Sequence, residues 1–191
     1  MKIKDLVTAN RSYRRFDSSY EVERNDLEDL IELARGSASG QNLQPLKYFL
    51  SNEHRHNEVI FNHLTVWAGH LKNWPGPAED ERPSAYVVIL GDKSISTSFE
   101  YDCGIASQSI RLGAVEKGFG SCIIASIKRR ELAEALRIPD QLEILIAIAI
   151  GKPKETVVID PVEPTGDTKY WRDTENIHHV PKRSLAELII N

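Results

Sequence analysis

The longest apolar pattern in the chain lies between residues 101 and 122. From residue 104 to residue 115 only Gln108 and Arg111 are strongly polar, and small or apolar residues recur at helical spacing. A helix that is apolar nearly all round is buried on several sides, and Gly118 supplies a signal for its end. The pattern predicts either the core helix of one domain or a central helix that also packs against a second subunit.

A second clear helix is predicted over residues 25–35. Its apolar residues share one face, Asn25 or Asp26 is the expected N-terminal cap, and Gly36 follows its last residue. Shorter helices are predicted over residues 3–8, 57–67 and 129–136.

Strands are predicted where apolar and β-branched residues form short runs. These runs cover residues 47–51, 86–90 and 142–150. A glycine turn at residues 118–120 leads into a further extended segment that ends near residue 127. Residues 69–83 and 154–173 contain many breaking residues and are predicted to be loops or irregular extended chain.

Length and composition indicate one globular domain, residues 1–191, with 41% hydrophobic residues. The net charge of -4 gives no general attraction for nucleic acid or a membrane surface. Cys103 and Cys122 are expected to be reduced thiols of a cytoplasmic protein. We expect no signal peptide and no transmembrane helix, because no apolar run approaches the ~20 residues that a span needs. The histidines lack partners at metal-like spacing, so no metal site is predicted.

A basic cluster near the N-terminus is the first candidate for chemistry. Arg11, Arg14 and Arg15 lie within five residues and are interleaved with Ser12 and an aromatic residue. Arginines beside a hydroxyl can bind phosphate through charge-assisted hydrogen bonds. By itself the cluster fits a solvated charge run at least as well.

The second candidate is the loop over residues 37–45, which follows the helix at 25–35. It holds many neutral donors and acceptors, among them Ser37, Ser39, Asn42 and Gln44. Such groups suit a planar heterocycle or a sugar chain, since they form hydrogen bonds without requiring a counter-charge. An ordinary polar connection is the alternative.

Taken together, these two segments resemble the flavin-dependent nitroreductase family. The resemblance rests on R-S-x-R-x-F at residues 11–16 and S-x-S-x-x-N-x-Q-P at residues 37–45, and later segments extend it over nearly the whole chain. Two positions depart from the pattern of many members: Ala38 replaces a proline, and Leu46 replaces a tryptophan. The second difference removes an aromatic residue near the site.

The resemblance implies an α+β fold with a central mixed sheet flanked by helices. It also implies a homodimer with FMN at the subunit interface. After the glycine turn, backbone groups of Ile124, Ala125 and Ser126 would lie beside the reactive flavin nitrogen. In the C-terminal segment Lys182 and Arg183 would reach the cofactor phosphate. Arg14 would be the fixed cation beside the ring edge that becomes negative on reduction.

The implied activity is a ping-pong oxidoreductase reaction. NADH or NADPH would reduce FMN, and a nitroaromatic, a quinone or a related small-molecule acceptor would then take the electrons. No side chain is then needed as nucleophile or base. Gly118 and Gly120 lack a third glycine and follow a helix, which argues against a dinucleotide-binding fold. The alternatives are an FMN sensor or storage protein without turnover, and a dehalogenase or flavin-destroying enzyme of the same fold.

Overall fold

The computed structural model describes residues 2–163 and 165–190, and it shows an α+β fold. The helices are α1 (Ile3–Ala9), α2 (Arg24–Arg35), α3 (His54–His63), α4 (Glu100–Glu116), α5 (Arg129–Leu136) and α6 (Leu185–Leu188), with short 3-10 turns at Gly40–Asn42 and Glu79–Glu81. The strands are β1 (Phe16–Asp17), β2 (Leu46–Ser51), β3 (Ala85–Asp92), β4 (Gly120–Ile124), β5 (Leu142–Pro153), β6 (Val157–Pro161), β7 (Trp171–Arg172) and β8 (His178–Lys182).

The central sheet runs in the order β2, β3, β5, with β4 and β1 sharing the far edge of β5. All four ladders are antiparallel. A single parallel bridge, between Ser12 and Ser121, joins the N-terminal segment to β4 and gives the sheet its mixed character. This bridge places the basic N-terminal segment beside the first residues of β4.

Helices cover both faces of this sheet. On one face Tyr86 and Val88 of β3 pack with Ile60 of α3 and Leu132 of α5. On the other face Val87 and Ile89 pack with residues of α2 and α4. Because alternate residues of a strand point to opposite faces, β3 is buried on both sides, as its continuous apolar sequence requires. The expected fold, a central sheet flanked by helices, is confirmed.

The helix predicted over residues 57–67 differs from α3 at both ends. The observed helix, α3, begins at His54 and ends at His63, because the chain after His63 pairs with the segment that follows β4. Leu64 forms an antiparallel bridge with Ile127, and the Thr65 N–H donates to the Ser126 carbonyl at 2.9 Å. Tertiary pairing therefore overrides the helical spacing that extends to Trp67.

The cap predicted for α2 also lies elsewhere. Glu23 is the N-cap residue, and the Asp26 carboxylate accepts a hydrogen bond from the Glu23 N–H at 3.3 Å. Gly36 ends the helix as predicted. The predicted central helix is confirmed as α4, with Gly118 at a φ of 78° just after it.

A small second sheet was not predicted. Residues 154–173, expected to be loop and extended chain, contribute β6 and β7, which pair with β8 on its two sides. His179 of β8 joins all three strands: its Nδ1 lies 2.8 Å from Asp160 of β6, and its Nε2 lies 3.3 Å from Asp173 just after β7. Its ring also stacks on Trp171 at 4.0 Å between centroids.

The hydrogen bond to Asp160, followed by that to Asp173, raises the pKa of His179 above its ordinary value. A raised folded-state pKa stabilises the protein below the unfolded pKa of about 6.5, and that stability is lost as pH rises through the folded pKa. We therefore expect His179→Gln to lower the melting temperature most at low pH and progressively less on the alkaline side. The measurement is thermal unfolding of both proteins between about pH 5.5 and about pH 9.

The matched control is His54→Gln, at an exposed histidine of α3. His54→Gln should change the melting temperature equally little at every pH. If the melting temperature of His179→Gln falls below that of wild type by an amount that is constant or grows with pH, a charged His179 between the two carboxylates would be contradicted.

Candidate functional site

A cavity of about 370 Å³ lies between the N-terminal segment, α4 and the C-terminal segment. Four of its lining residues carry positive charge and none carries negative charge, so we call it the cation cavity. Its lining residues are Val7, Asn10, Arg11, Ser12, Arg14, Gln108, Arg111, Tyr170, Val180 and Lys182. Such a lining is suited to a ligand that brings its own negative charge.

Among the described residues, the side chains of Arg11 and Arg111 in this cavity have no carboxylate partner, and the same is true of Arg14. Arg11 donates from Nη2 to the Val7 carbonyl at 2.8 Å, and its Nε is buried with no partner among the described residues. Arg111 donates from Nε to the Ser121 hydroxyl at 3.2 Å. Burial is the main cause that lowers the pKa of Arg111, and the charges of Arg11 and Arg14 act in the same direction. Within the described part of the chain, no acid neutralises either guanidinium group.

Arg14 is held by backbone carbonyls and by an aromatic ring. Its Nε donates to the Trp67 carbonyl at 2.7 Å, and its Nη1 donates to the Ser12 carbonyl at 3.2 Å. The guanidinium carbon lies 4.7 Å from the centre of the Tyr170 ring, which suits a cation–π contact. Arg14 is therefore fixed in place while its charge remains available to a ligand.

His178 lies beside Arg14 in its neutral form. Burial, and then the charges of Arg14 and Arg172, lower the pKa of His178 to about 4. Its Nε2 faces Arg14 Nη1 at 3.4 Å, and since a guanidinium can only donate, this nitrogen accepts. His178 is therefore uncharged at neutral pH, whereas the neighbouring His179 is bound between two aspartates.

The polar loop at residues 37–45 is anchored to α4 through a buried carboxylate. The Ser39 hydroxyl and the Gly40 N–H both donate to Asp102, the latter at 2.9 Å. The Ser39 hydroxyl also accepts from the Gln44 N–H at 2.9 Å, and the Ser37 hydroxyl lies 2.6 Å from that of Ser109. The serines thus organise the loop within its own chain.

The loop also stores backbone strain. Gln41, Asn42 and Gln44 have φ values of 51°, 56° and 53°, in the left-handed region that side-chain-bearing residues rarely adopt. Three such residues within four positions are typical of a segment held in shape for a ligand or a partner. The Asn42 side chain makes no hydrogen bond within the described residues, and it is exposed to solvent.

The segment after β4 offers backbone donors. The Ala125 and Ser126 carbonyls are used, by Arg129 at 3.1 Å and by Thr65 at 2.9 Å. Within the described part of the chain, no acceptor is found for the Ala125 or Ser126 N–H. Ala125 is exposed, so its N–H is accessible to a ligand that carries an acceptor.

Within one chain, Arg14 lies close to the backbone segment at residues 124–126. Thr65 binds the Ser126 carbonyl and Trp67 binds Arg14. Because two residues span at most about 7 Å of extended chain, Arg14 lies near the segment at residues 124–126. Lys182 lines the cation cavity, whereas Arg183 is directed to Glu187 at 3.4 Å.

The polar loop lies on the opposite side of α4. Asp102 and Ala106 line the recess beside the loop, whereas Gln108 and Arg111 line the cation cavity. Asp102 and Arg111 are nine residues apart, about two and a half helical turns, which places them on opposite faces. One chain alone therefore does not bring the loop and the cations into one cavity.

Sequence reasoning missed several of these residues. Gln108 and Arg111 are the two strongly polar residues of the stretch 104–115 within α4, and that isolation was the available signal. Asp102 and Tyr170 had no distinguishing pattern. In the described part of the chain, no cluster of histidine, cysteine and acidic residues could hold a metal ion. No described helix is long and apolar enough to cross a membrane.

Known proteins share both the sequence pattern and the fold. The family model described as "Nitroreductase family" matches residues 7–152. A curated relative from Bacillus subtilis, "Putative NAD(P)H nitroreductase MhqN", is 23% identical over 190 residues, which is 78% of this chain and 87% of that protein.

Two solved structures have similar architecture. A nitroreductase family protein from Clostridium novyi NT gives a TM-score of 0.65 at 23% identity, covering 98% of this chain and 99% of its own. An FMN-dependent nitroreductase from Clostridium difficile R20291 gives 0.63 at 21% identity, covering 91% and 94%. Because the family model covers most of the chain, from the basic cluster to the end of the central sheet, this protein belongs to the nitroreductase family.

Proposed function

We propose that the chain is a single FMN-binding domain of a homodimeric, NAD(P)H-dependent oxidoreductase. The observation that carries the proposal is the cation cavity, which combines four cations with no carboxylate. Without a ligand, the proximity of these four cations is unfavourable, because like charges in a shared recess repel. The four are Arg11, Arg14, Arg111 and Lys182.

The cavity fits the phosphate of FMN in charge and in donor type. A phosphate monoester is close to a dianion at neutral pH, and guanidinium groups bind it through paired, charge-assisted hydrogen bonds. The buried Nε of Arg11, without a partner among the described residues, is a donor that such a ligand would satisfy. Ser12 and Gln108 add neutral hydrogen-bonding groups in the same lining.

The remaining residues suit the uncharged parts of the cofactor. We assign the ring and the ribityl chain to the neutral groups Ser37, Ser39, Asn42 and Gln44 and to the backbone of residues 124–126. The free Ala125 and Ser126 N–H groups can donate to a ring nitrogen, and Arg14 supplies fixed positive charge at the ring edge. When bound, FMN supplies the hydride and electron transfer chemistry.

A second copy of the chain would complete the site. The exposed face of α4 carries Tyr101, which is 84% exposed, and Ile105, which is 41% exposed. A side chain added at Gly104, between them, would meet nothing within 4 Å. This apolar face lies beside the polar loop, since Tyr101 and Ile105 share a recess with Ser39 and Gln41. Pairing two such faces would bring the loop of one copy to the cations of the other.

The relatives support the reaction class. One bears the name of an NAD(P)H nitroreductase and another that of an FMN-dependent nitroreductase. We propose a ping-pong cycle in which NADH or NADPH is the reducing substrate and a small nitroaromatic or quinone is the acceptor. The two cysteines are buried free thiols, which suits an enzyme of the reducing cytoplasm.

Three further roles are compatible with the same flavin contacts. An FMN sensor or storage protein would bind the cofactor without turnover, and a dehalogenase or a flavin-destroying enzyme would use it differently. The Ala125 and Ser126 N–H groups, which we assign to the flavin ring, favour a redox role, because they would donate to the ring edge at which hydride is exchanged.

We expect the purified protein to be yellow, and to bleach when NADH or NADPH is added without oxygen. Benzoquinone or nitrobenzoate should then restore the colour, since the acceptor reoxidises the flavin. The measurement is the visible absorption spectrum at each step. A yellow protein that resists both nicotinamides would favour the sensor or storage role, and a colourless protein that takes up no FMN would overturn the proposal.

The phosphate assignment has its own test, in which riboflavin serves as FMN without its phosphate. We expect Arg111→Gln to lower the ratio of FMN affinity to riboflavin affinity by about 10- to 100-fold, as the loss of a charge-assisted hydrogen bond would. Affinities are measured by quenching of flavin fluorescence. Arg55→Gln, at an exposed arginine of α3, should leave the ratio unchanged. Equal weakening of both ligands by Arg111→Gln would show that Arg111 does not bind the phosphate.

A further inference from the structure

A second cavity, of about 590 Å³, lies where the β1–α2 connection, α3 and the start of β3 meet. We call it the Tyr86 cavity. None of its lining residues lines the cation cavity. Its floor is formed by Arg82, Ser84 and Tyr86, and Glu58 and Glu79 lie among its charged residues.

Three buried polar atoms of this floor have no hydrogen-bond partner among the described residues. They are Arg82 Nε, the Ser84 hydroxyl and the Tyr86 hydroxyl. Tyr86 is 0% exposed, so water does not compensate its hydroxyl from the surface. A buried polar group without a partner destabilises the fold, and these three atoms are donors that a ligand with acceptor oxygens would satisfy. Each of the three atoms can donate a hydrogen bond.

Arg82 is also left without a counter-charge. Neighbouring basic residues are paired with acids of the same segment, Arg15 with Glu81 and Lys154 with Asp80. Within the described residues the Arg82 side chain forms no salt bridge, although four acids line the same cavity. Its guanidinium carbon lies over the Phe61 ring, 4.2 Å from the centroid, a cation–π contact that restrains the side chain without neutralising its charge.

Four further residues of the lining carry negative charge. Glu21, Glu23, Glu58 and Glu79 line the cavity, and its other arginine, Arg24, is already paired with Glu28. A simple dianion such as phosphate would be repelled by this rim. A ligand with a carboxylate at one end and a basic group at the other would match both the floor and the rim.

We propose that the Tyr86 cavity binds a small amino carboxylate. The carboxylate lies on Arg82, Ser84 and Tyr86, and the ammonium group lies toward the glutamates. The cavity is connected to the candidate flavin site through packing: Arg82 lies on Phe61, the Phe61 and Trp67 rings are 5.4 Å apart, and the Trp67 carbonyl accepts from Arg14. The site is nevertheless independent of flavin binding and can be tested without it.

The experiment compares four probes by isothermal titration calorimetry and thermal unfolding, with and without FMN. Aminopentanoate carries both charged ends, pentanoate only the carboxylate, pentylamine only the ammonium group, and inorganic phosphate a compact anion. We expect aminopentanoate to bind with the highest affinity and to raise the melting temperature, pentanoate to bind more weakly, and pentylamine and phosphate not to bind.

Two variants connect binding to the named atoms. Tyr86→Phe removes a buried hydroxyl without a partner, so the ligand-free protein should be as stable as wild type or more stable, while aminopentanoate affinity should fall about tenfold. Arg82→Gln should abolish the binding of both carboxylates. Arg55→Gln, on α3 but outside the cavity lining, should leave every affinity unchanged.

Three results would overturn the proposal. The first is that neither carboxylate binds at up to roughly 10 mM, with Tyr86→Phe less stable than wild type, which would identify a recess filled by structural water. The second is tighter binding of phosphate than of the carboxylates. The third is equal affinity for pentanoate and aminopentanoate, which would remove the role of the glutamates.

Discussion

The candidate site depends on a group of positive charges that no described carboxylate neutralises. Arg11 and Arg14 are oriented by the carbonyls of Val7, Ser12 and Trp67, and Arg111 is oriented by a serine hydroxyl. A carbonyl can fix a guanidinium without cancelling its charge, whereas a carboxylate would do both. The result is a cavity that is preorganised for an anion before any ligand arrives.

A buried acid beside the basic segment, Glu155, binds the backbone of that segment and the Arg172 side chain. The Glu155 side chain is 0% exposed and accepts from the Arg15 N–H at 3.1 Å, from the Arg14 N–H and from the Arg172 side chain at 2.8 Å. It therefore supports the backbone of the basic segment and leaves the Arg14 guanidinium free. The same segment reaches β4 through the Ser12–Ser121 bridge, so the cations and the glycine turn are positioned by a single connection.

Much of the fold follows from the sequence, because the core elements have strong and regular patterns. The continuous apolar runs of β3 and β5 require burial, and the structure supplies it. The nearly all-apolar stretch of α4 is buried against α2 and the sheet, while its face with Tyr101 and Ile105 stays exposed in one chain. The errors lie where long-range pairing decides the local structure. α3 ends early because Leu64 pairs with Ile127, and β6 and β7 form because His179 and its strand lie between them.

The candidate site could be predicted only in part, for a related reason. Arg11, Ser12, Arg14 and Lys182 come together in one cavity, and their sequence motif was visible. Arg111 could not be assigned from local pattern, since its role depends on which face of α4 meets the N-terminal segment. The loop residues Ser39, Asn42 and Gln44 lie on the side of α4 opposite to the cation cavity. Their proposed contribution to the same site therefore depends on a second copy of the chain.

The most direct test of the central claim, a flavin site shared between two copies, is complementation between two defective chains. One chain carries Arg111→Glu, and the other carries Asn42→Ala with Gln44→Ala. Each is prepared alone and as a purified heterodimer, at an FMN concentration at which neither homodimer retains the cofactor. A shared site gives each heterodimer one undamaged site, so the account predicts one bound FMN per heterodimer. A heterodimer that retains no FMN would contradict it, because a site built within one chain would leave every site defective.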